Sequence, residues 1–342
     1  MTYPETNTFQ ELIQTANHIV IIQADNPDAD SLGSALALES ILGDLGKQTS
    51  LYCAVDMPGY LRYMSGWDRI DKELPRKFDL SIVVDASTMS LFDAFAVPSV
   101  SGALAAKPCI ILDHHAVTDH PIPFATVTIN DGGRASAGEL IYILSQELHW
   151  TVSVVAGEYI MSSILGDTQG LSNELAKPIT YRIVADLIEN GVNRQNLEEI
   201  RREYGKMPES IFRYKAELIT RTELYDEGRI AIVTIPQSEI NTYSPLYNPA
   251  PLVQNDILQV KGIQLAIVLK QYDSGRITAA IRANAGYTVA GTLAAHFGGG
   301  GHKYASGFKI NGGRVFNEVK LECIDKATEL LQTVNGQPYA TI

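Results

Sequence analysis

Asp79-Leu80-Ser81-Ile82-Val83-Val84-Asp85 and Pro108-Cys109-Ile110-Ile111-Leu112-Asp113-His114-His115 share one pattern: an apolar run that stops on an aspartate. Short continuous runs of β-branched and aliphatic residues read as strands buried on both faces, the type found in parallel sheets covered by helices. The pattern begins earlier, with His18-Ile19-Val20-Ile21-Ile22. Residues 31–45 follow with helical apolar spacing at Leu32, Ala35, Leu36, Leu38, Ile41 and Leu42. Residues 49–54 and 124–129 add strand candidates, and helical spacing dominates 137–148, 153–165 and 178–189. Strands separated by helices predict an α/β fold with a parallel sheet.

Residues 193–209 are polar and charged, and Lys206-Met207-Pro208 reads as a domain boundary. A connecting helix is expected over 211–225. The second half carries a strand at 229–235 and a Pro/Asn/Tyr-rich loop at 241–251. Strands at 262–271 and 276–282 flank Tyr272-Asp273-Ser274-Gly275, a hairpin turn signal. A helix at 288–297, a break at 298–301, a strand at 304–310 and an amphipathic helix at 315–331 complete a smaller α/β domain with a mixed sheet. The expected division is residues 1–205, a linker helix at 206–225, and 226–342.

The chain has 342 residues, 45% of them hydrophobic and 19% charged, enough for two cores. No apolar run approaches the roughly 18 residues of a membrane span. The N-terminal sequence shows no basic segment followed by an apolar stretch and a small-residue cleavage site, so a cytoplasmic location is expected. Cys53, Cys109 and Cys323 are far apart and form no CxxC pair, which argues against a disulfide framework or a thiolate zinc site. The net charge of −12 is uneven: 14 Lys+Arg against 12 Asp+Glu from Lys206 onward gives +2, leaving 13 − 27 = −14 for the first 205 residues. That acidity disfavours long duplex DNA as a ligand. It suits a small phosphorylated ligand gripped through cations, though surface solubility alone also produces it.

Four places put carboxylates or imidazoles at the ends of predicted elements: Asn26-Pro27-Asp28-Ala29-Asp30, Asp85, Asp113-His114-His115, and Leu165-Gly166-Asp167. In open α/β sheets, ligands bind outside the carboxyl ends of the strands. Parallel strands point the same way, so Asp28, Asp30, Asp85 and His114 are expected to converge on one edge. Carboxylates with one or two imidazoles suit Mn²⁺, Fe²⁺ or Zn²⁺ better than Ca²⁺. Each fragment alone has a plainer reading as a turn, a helix cap or a surface residue; their joint placement points to a metal centre.

With these residues in view, the chain resembles the DHH phosphoesterase superfamily, whose triplet stands here as Asp113-His114-His115. The layout is most similar to the bacterial oligoribonuclease/PAP phosphatases (nano-RNases). The second half resembles the DHHA1 domain, through Phe297-Gly298-Gly299-Gly300-Gly301-His302-Lys303-Tyr304-Ala305-Ser306-Gly307. The resemblance implies two divalent metal ions, manganese foremost, in a cleft between the domains. Asp28 would hold one ion, Asp30, His114 and Asp167 the other, and Asp85 both. His115 would contact the scissile phosphate, and Asp113 would orient the imidazoles. Gly299, Gly300 and Gly301 would offer backbone N–H groups to substrate, with Arg282 and His302 adding charge. The implied partners are short RNA, a dinucleotide, or 3′-phosphoadenosine 5′-phosphate (pAp), and a homodimer is allowed.

One position departs from the pattern. Related proteins place a His four residues before the first Asp of the opening motif, and Ala24 stands there. Gln23, Asp25 or a more remote side chain could substitute; the first ion could bind weakly; or the centre could be degraded and the protein a nucleotide-binding regulator. Cleavage of linear or cyclic dinucleotides is a further alternative. Ser136, with Glu139 three residues on, reads as a capping box for the next helix.

Overall fold

The structure, a computed structural model, describes residues 3–115, 120–244, 247–301 and 303–334. The chain divides into two compact units, Met1–Lys206 and Met207–Ile342.

The first unit is built on six strands: β1 (His18–Ile22), β2 (Gln48–Tyr52), β3 (Ile70–Asp71), β4 (Leu80–Val84), β5 (Cys109–Asp113) and β6 (Val127–Asn130). Their order is β3-β2-β1-β4-β5-β6, and every neighbouring pair is parallel. The chain runs outward from β1 through β2 to β3, then returns to place β4 on the other side of β1. Loops leaving strands at such a reversal part in opposite directions and open a crevice at the carboxyl end of the sheet.

Alternation along the strands separates two cores. Ile19 and Ile21 face a cluster with Leu32, Leu36, Ile160 and Ile164, whereas Val20 and Ile22 face one with Phe92, Phe95 and Leu104. The helices covering the sheet are α1 (Thr6–Thr15), α2 (Ala29–Asp44), α3 (Pro98–Ala105), α4 (Ala137–Glu147), α5 (Val154–Asp167), α6 (Pro178–Glu189) and α7 (Arg194–Tyr204). The stretch read as merely polar is largely α7, capped by the Asn193 side chain accepting from Asn196 N–H. Strand β6 begins later than the expected 124, because Ala125 N–H turns back to Ile122 carbonyl.

The second unit contains α8 (Glu209–Thr220), β7 (Glu223–Tyr225), β8 (Ile230–Pro236), α9 (Gln237–Tyr243), α10 (Pro249–Leu258), β9 (Leu265–Gln271), β10 (Arg276–Ala283), α11 (Ala290–His296), β11 (Gly300–Gly301), β12 (Ala305–Asn311) and α12 (Phe316–Thr333). The strand order is β11-β12-β10-β9-β8-β7, with β8 and β9 parallel and the other neighbours antiparallel. Ile230, Ile232 and Ile267 pack beneath Leu293 and Val319 on one face. Ala231, Val233 and Val268 pack beneath Tyr214 and Val253 on the other, so α8 contributes to this unit's core. The Pro-rich loop expected at 241–251 is shorter, because α10 starts at Pro249. Proline is suited to the first helical turn, and the Asn248 side chain accepts from Ala250 N–H.

Candidate metal centre

Asp28 ends the loop after β1 and caps α2, its Oδ1 accepting from the N–H groups of Asp30 and Ser31, each at 3.0 Å. This turns Asp30 inward, where it is fully buried. Its Oδ1 accepts from the Ser163 hydroxyl at 2.6 Å and the Ser34 hydroxyl at 2.9 Å, and its Oδ2 from Ala137 N–H at 2.8 Å. The Ala137 and Gly138 N–H groups are the free donors at the start of α4, where the helix dipole favours an anion. Burial alone would raise the Asp30 pKa, but these bonds and His114 hold it below the ordinary carboxylate range. The serines and the α4 terminus form a support that the sequence did not advertise.

Two glycines permit this packing. A Cβ on Gly138 would lie 2.2 Å from the Ser163 hydroxyl, and one on Gly166 would lie 2.7 Å from the Ala29 Cβ. Gly166 thereby brings the end of α5, and with it Asp167, against the start of α2.

Asp85 leaves β4 with a left-handed φ of 58°, its N–H bonded to Leu112 carbonyl at 2.8 Å. Aspartate tolerates this conformation better than most residues, and local strain of this kind concentrates at functional sites. His114 follows β5. Its Nδ1 is 3.4 Å from Arg134 carbonyl, which places the ring proton there and turns Nε2 inward. Nε2 lies 3.0 Å from Asp167 Oδ2, 3.3 Å from Asp30 Oδ2 and 3.4 Å from Asp85 Oδ1.

Three carboxylates around one imidazole nitrogen require a positive charge. Without a cation the burden falls on protons: His114 is driven far above its normal range against the opposing effect of burial, Asp85 is pushed well up by burial and by Asp30, and Asp167 rises to about 6 for the same two reasons. Asp85 Oδ1 and His114 Nε2 are buried, and beyond the contacts within this cluster neither has a hydrogen-bond partner in the protein. Oxygen and nitrogen donors with open lone pairs, gathered this closely, fit a divalent transition-metal ion. Asp30, His114 and Asp167 form one triad of potential ligands; Asp85, His114 and His115 form another.

Asp113 is fully buried, and its Oδ1 lies 2.8 Å from His115 Nδ1 while accepting from the N–H groups of His114 and His115. It therefore fixes the His115 ring. The hydrogen bond to Asp113 is chiefly responsible for raising the His115 pKa, against the opposing effect of burial. Asp28 belongs to neither triad. Ala24 is packed with Val20, Ile22, Phe92 and Phe95. Asp25 Oδ2 accepts from Asp93 N–H at 2.6 Å, and the buried Gln23 amide finds no hydrogen-bond partner in the protein. Ser136 accepts from Glu139 N–H as a cap should, but the Glu139 carboxylate has no hydrogen-bond partner, so the reciprocal arm of the expected capping box is absent.

In the second unit, the register sets Arg282 opposite Ala305 and Gly301 opposite Ser306, placing Arg282 and Gly301 at the same end of the sheet. Three of the four consecutive glycines have local reasons. Gly298 and Gly301 have φ of 75° and 132°, and a Cβ on Gly299 would lie 2.2 Å from Gly307 carbonyl. A Cβ on Gly300 would meet nothing. His302 lies outside the described residues. Among the described residues, no helix is long and apolar enough to cross a membrane.

The family model "DHH family, N-terminal domain" matches residues 18–166. Two proteins called bifunctional oligoribonuclease and PAP phosphatase NrnA are similar along most of their length. The one from Thermus thermophilus is 24% identical over 84% of this chain and 82% of that protein; the one from Bacillus subtilis is 24% identical over 88% and 92%. A solved structure of an exopolyphosphatase-related protein from Bacteroides fragilis superimposes with a TM-score of 0.83 at 22% identity, covering 96% of this chain and 97% of that one. The motif order and the parallel sheet with its aspartates at the strand ends agree with the family match: residues 18–166 are similar to the DHH family, N-terminal domain.

Proposed function

We propose that this protein is a metal-dependent phosphoesterase acting on short oligoribonucleotides, dinucleotides above all, or on pAp. The observation that carries the reading is the approach of three carboxylates to His114 Nε2, at 3.0 to 3.4 Å, in a buried site with open lone pairs. The names of the two curated relatives supply the substrate class.

Asp30, His114 and Asp167 would hold one divalent ion, Asp85 would be shared, and Asp28 would serve the other. Such ions supply positive charge against phosphoryl oxygens and acidify water near neutral pH. The protein's own groups do the positioning. Asp113 keeps a proton on His115 Nδ1 and favours the doubly protonated ring, so Nε2–H can donate to a phosphoryl oxygen as charge develops there. The His115 side chain is 44% exposed, which leaves it accessible to a substrate. Arg282 and the Gly299–Gly301 backbone, with His302, would grip the remainder of a nucleotide.

Ion-exchange analysis of products from mono-, di- and pentanucleotides with Mn²⁺ tests the reading. Release of mononucleotide from a dinucleotide, abolished by EDTA and by His114→Ala, is expected. Full turnover in His114→Ala would overturn the assignment.

The apolar packing of Ala24 favours one second reading: a nucleotide-binding regulator whose first ion site is lost. It predicts nucleotide binding without manganese-stimulated hydrolysis, even at high protein concentration.

A further inference from the structure

A cavity of about 310 Å³ opens within the first unit beside the carboxylate cluster. That volume is at the small end of the roughly 300–1,000 Å³ range of small-molecule sites. Asp28 and Asp167 form one wall, and Asp167 is the carboxylate nearest His114 Nε2. The remaining lining differs in kind: it includes Tyr60, Tyr63, Leu61, Leu165 and Arg201.

The tyrosines are held on a braced segment. Gly59–Leu61 is a single 3₁₀ turn whose Leu61 is fully buried. Arg62 bonds Met57 carbonyl at 3.1 Å and lays its guanidinium over the Trp67 ring, 4.4 Å from the centroid. Tyr60 itself remains 51% exposed, with its hydroxyl 3.5 Å from Pro27 carbonyl, a marginal bond. Core packing therefore does not account for a large ring at this position. Arg201 is bound to both carboxylate oxygens of Glu198, so its charge is already countered. The far wall thus offers aromatic and aliphatic residues and little net charge. A second phosphate would find weak attraction there, whereas a flat, uncharged heterocycle would find rings to stack on.

We propose that this cavity receives the base of a substrate nucleotide whose phosphate lies at the carboxylate cluster. The site makes the protein selective for nucleoside phosphates over base-free phosphates. Because every base has a π-face, it tolerates any base. The inference rests on the proposed phosphoesterase reading for the position of the phosphate, but its test requires no turnover.

Adenosine 5′-monophosphate and ribose 5-phosphate are titrated calorimetrically, with Mn²⁺, into the full chain and its Tyr60→Ala and Tyr60→Phe variants. The unaltered protein is expected to bind the nucleotide about tenfold more tightly than the sugar phosphate, the scale of one stacked base. Tyr60→Ala should remove most of that preference, and Tyr60→Phe, which keeps the ring, should retain it. Because Tyr60 is half-exposed, its truncation leaves the core intact. No preference in the unaltered protein, or a preference surviving in Tyr60→Ala, overturns the inference. Base-dependent binding without dinucleotide hydrolysis contradicts only the proposed reaction. Hydrolysis with binding indifferent to Tyr60 contradicts only the cavity's role.

Discussion

His114 Nε2 lies 3.0 Å from Asp167 Oδ2, joining the end of β5 to the last residue of α5. The contact depends on two features distant in sequence. Gly166 lets α5 press against Ala29, and Arg134 carbonyl holds the opposite ring nitrogen. Asp30 reaches the same nitrogen from the first turn of α2, the helix after β1, and Asp85 from the end of β4; β1 and β4 are the strands between which the chain reverses direction. The site is thus a product of topology as much as of residue type.

The electrostatics of this cluster give a pH dependence of known sign. A carboxyl whose folded-state pKa is raised destabilises the fold once ionised, so Asp85 and Asp167, the latter near 6, favour the folded state as pH falls. His114 has a raised folded-state pKa, so its stabilisation is complete below its unfolded value of about 6.5 and is lost as pH rises toward the folded one. Asp30, with a lowered pKa, acts only at more acidic pH. Differential scanning fluorimetry in EDTA should therefore show the melting temperature falling between pH 5 and 9. Added Mn²⁺ should raise it more at pH 8 than at pH 5.5. A flat profile in EDTA would count against the cluster's coupling.

Asp113 acts through His115. Asp113→Asn is expected to lower kcat by about 10–100-fold, the usual effect of losing a group that orients a site imidazole, with KM changed less than about threefold. The alkaline limb of the pH–rate profile should move to lower pH with it, because the His115 ring, which acts in its protonated form, loses the carboxylate that raises its pKa. Steady-state kinetics on a dinucleotide measures both. An unchanged kcat would remove His115 from the mechanism.

Gly138→Ala tests the support beneath Asp30. The added methyl would collide with Ser163, whose hydroxyl bonds Asp30 at 2.6 Å. Overpacking of this kind costs about 1–3 kcal/mol, and chemical denaturation should reveal it. Calorimetry should show weaker Mn²⁺ binding at the same time. Unaltered stability would mean that α4 shifts freely.

Ala24→His probes the departure from the family pattern. If Asp28 and Asp85 lack only an imidazole, the variant should bind a second equivalent of Mn²⁺ by elemental analysis and turn over a dinucleotide faster. The surrounding side chains, Phe92 and Phe95 among them, will tax folding, so the melting temperature should drop. Unchanged metal content with a folded protein would show that the first ion is held in another way.

Much of this was legible from local sequence. The apolar runs ending at Asp85 and Asp113 signalled buried parallel strands, and parallel strands place their carboxyl ends together. The supporting groups were not legible, because Ser163 and the α4 N–H groups are ordinary residues until packing aims them at Asp30. Tyr60 and Tyr63 carried no motif, and α7 was hidden by its polar composition. The glycine run was read chiefly for substrate contact, but Gly298, Gly299 and Gly301 also answer backbone demands that only the folded β11–β12 pair imposes.

Asp30, Asp85, His114 and Asp167 would together form a cage for a divalent cation. Crystals grown with Mn²⁺ and measured at the manganese absorption edge test it most directly. An anomalous peak bounded by these four side chains, lost in His114→Ala, is expected. A fully active protein whose manganese peak lies elsewhere would contradict it.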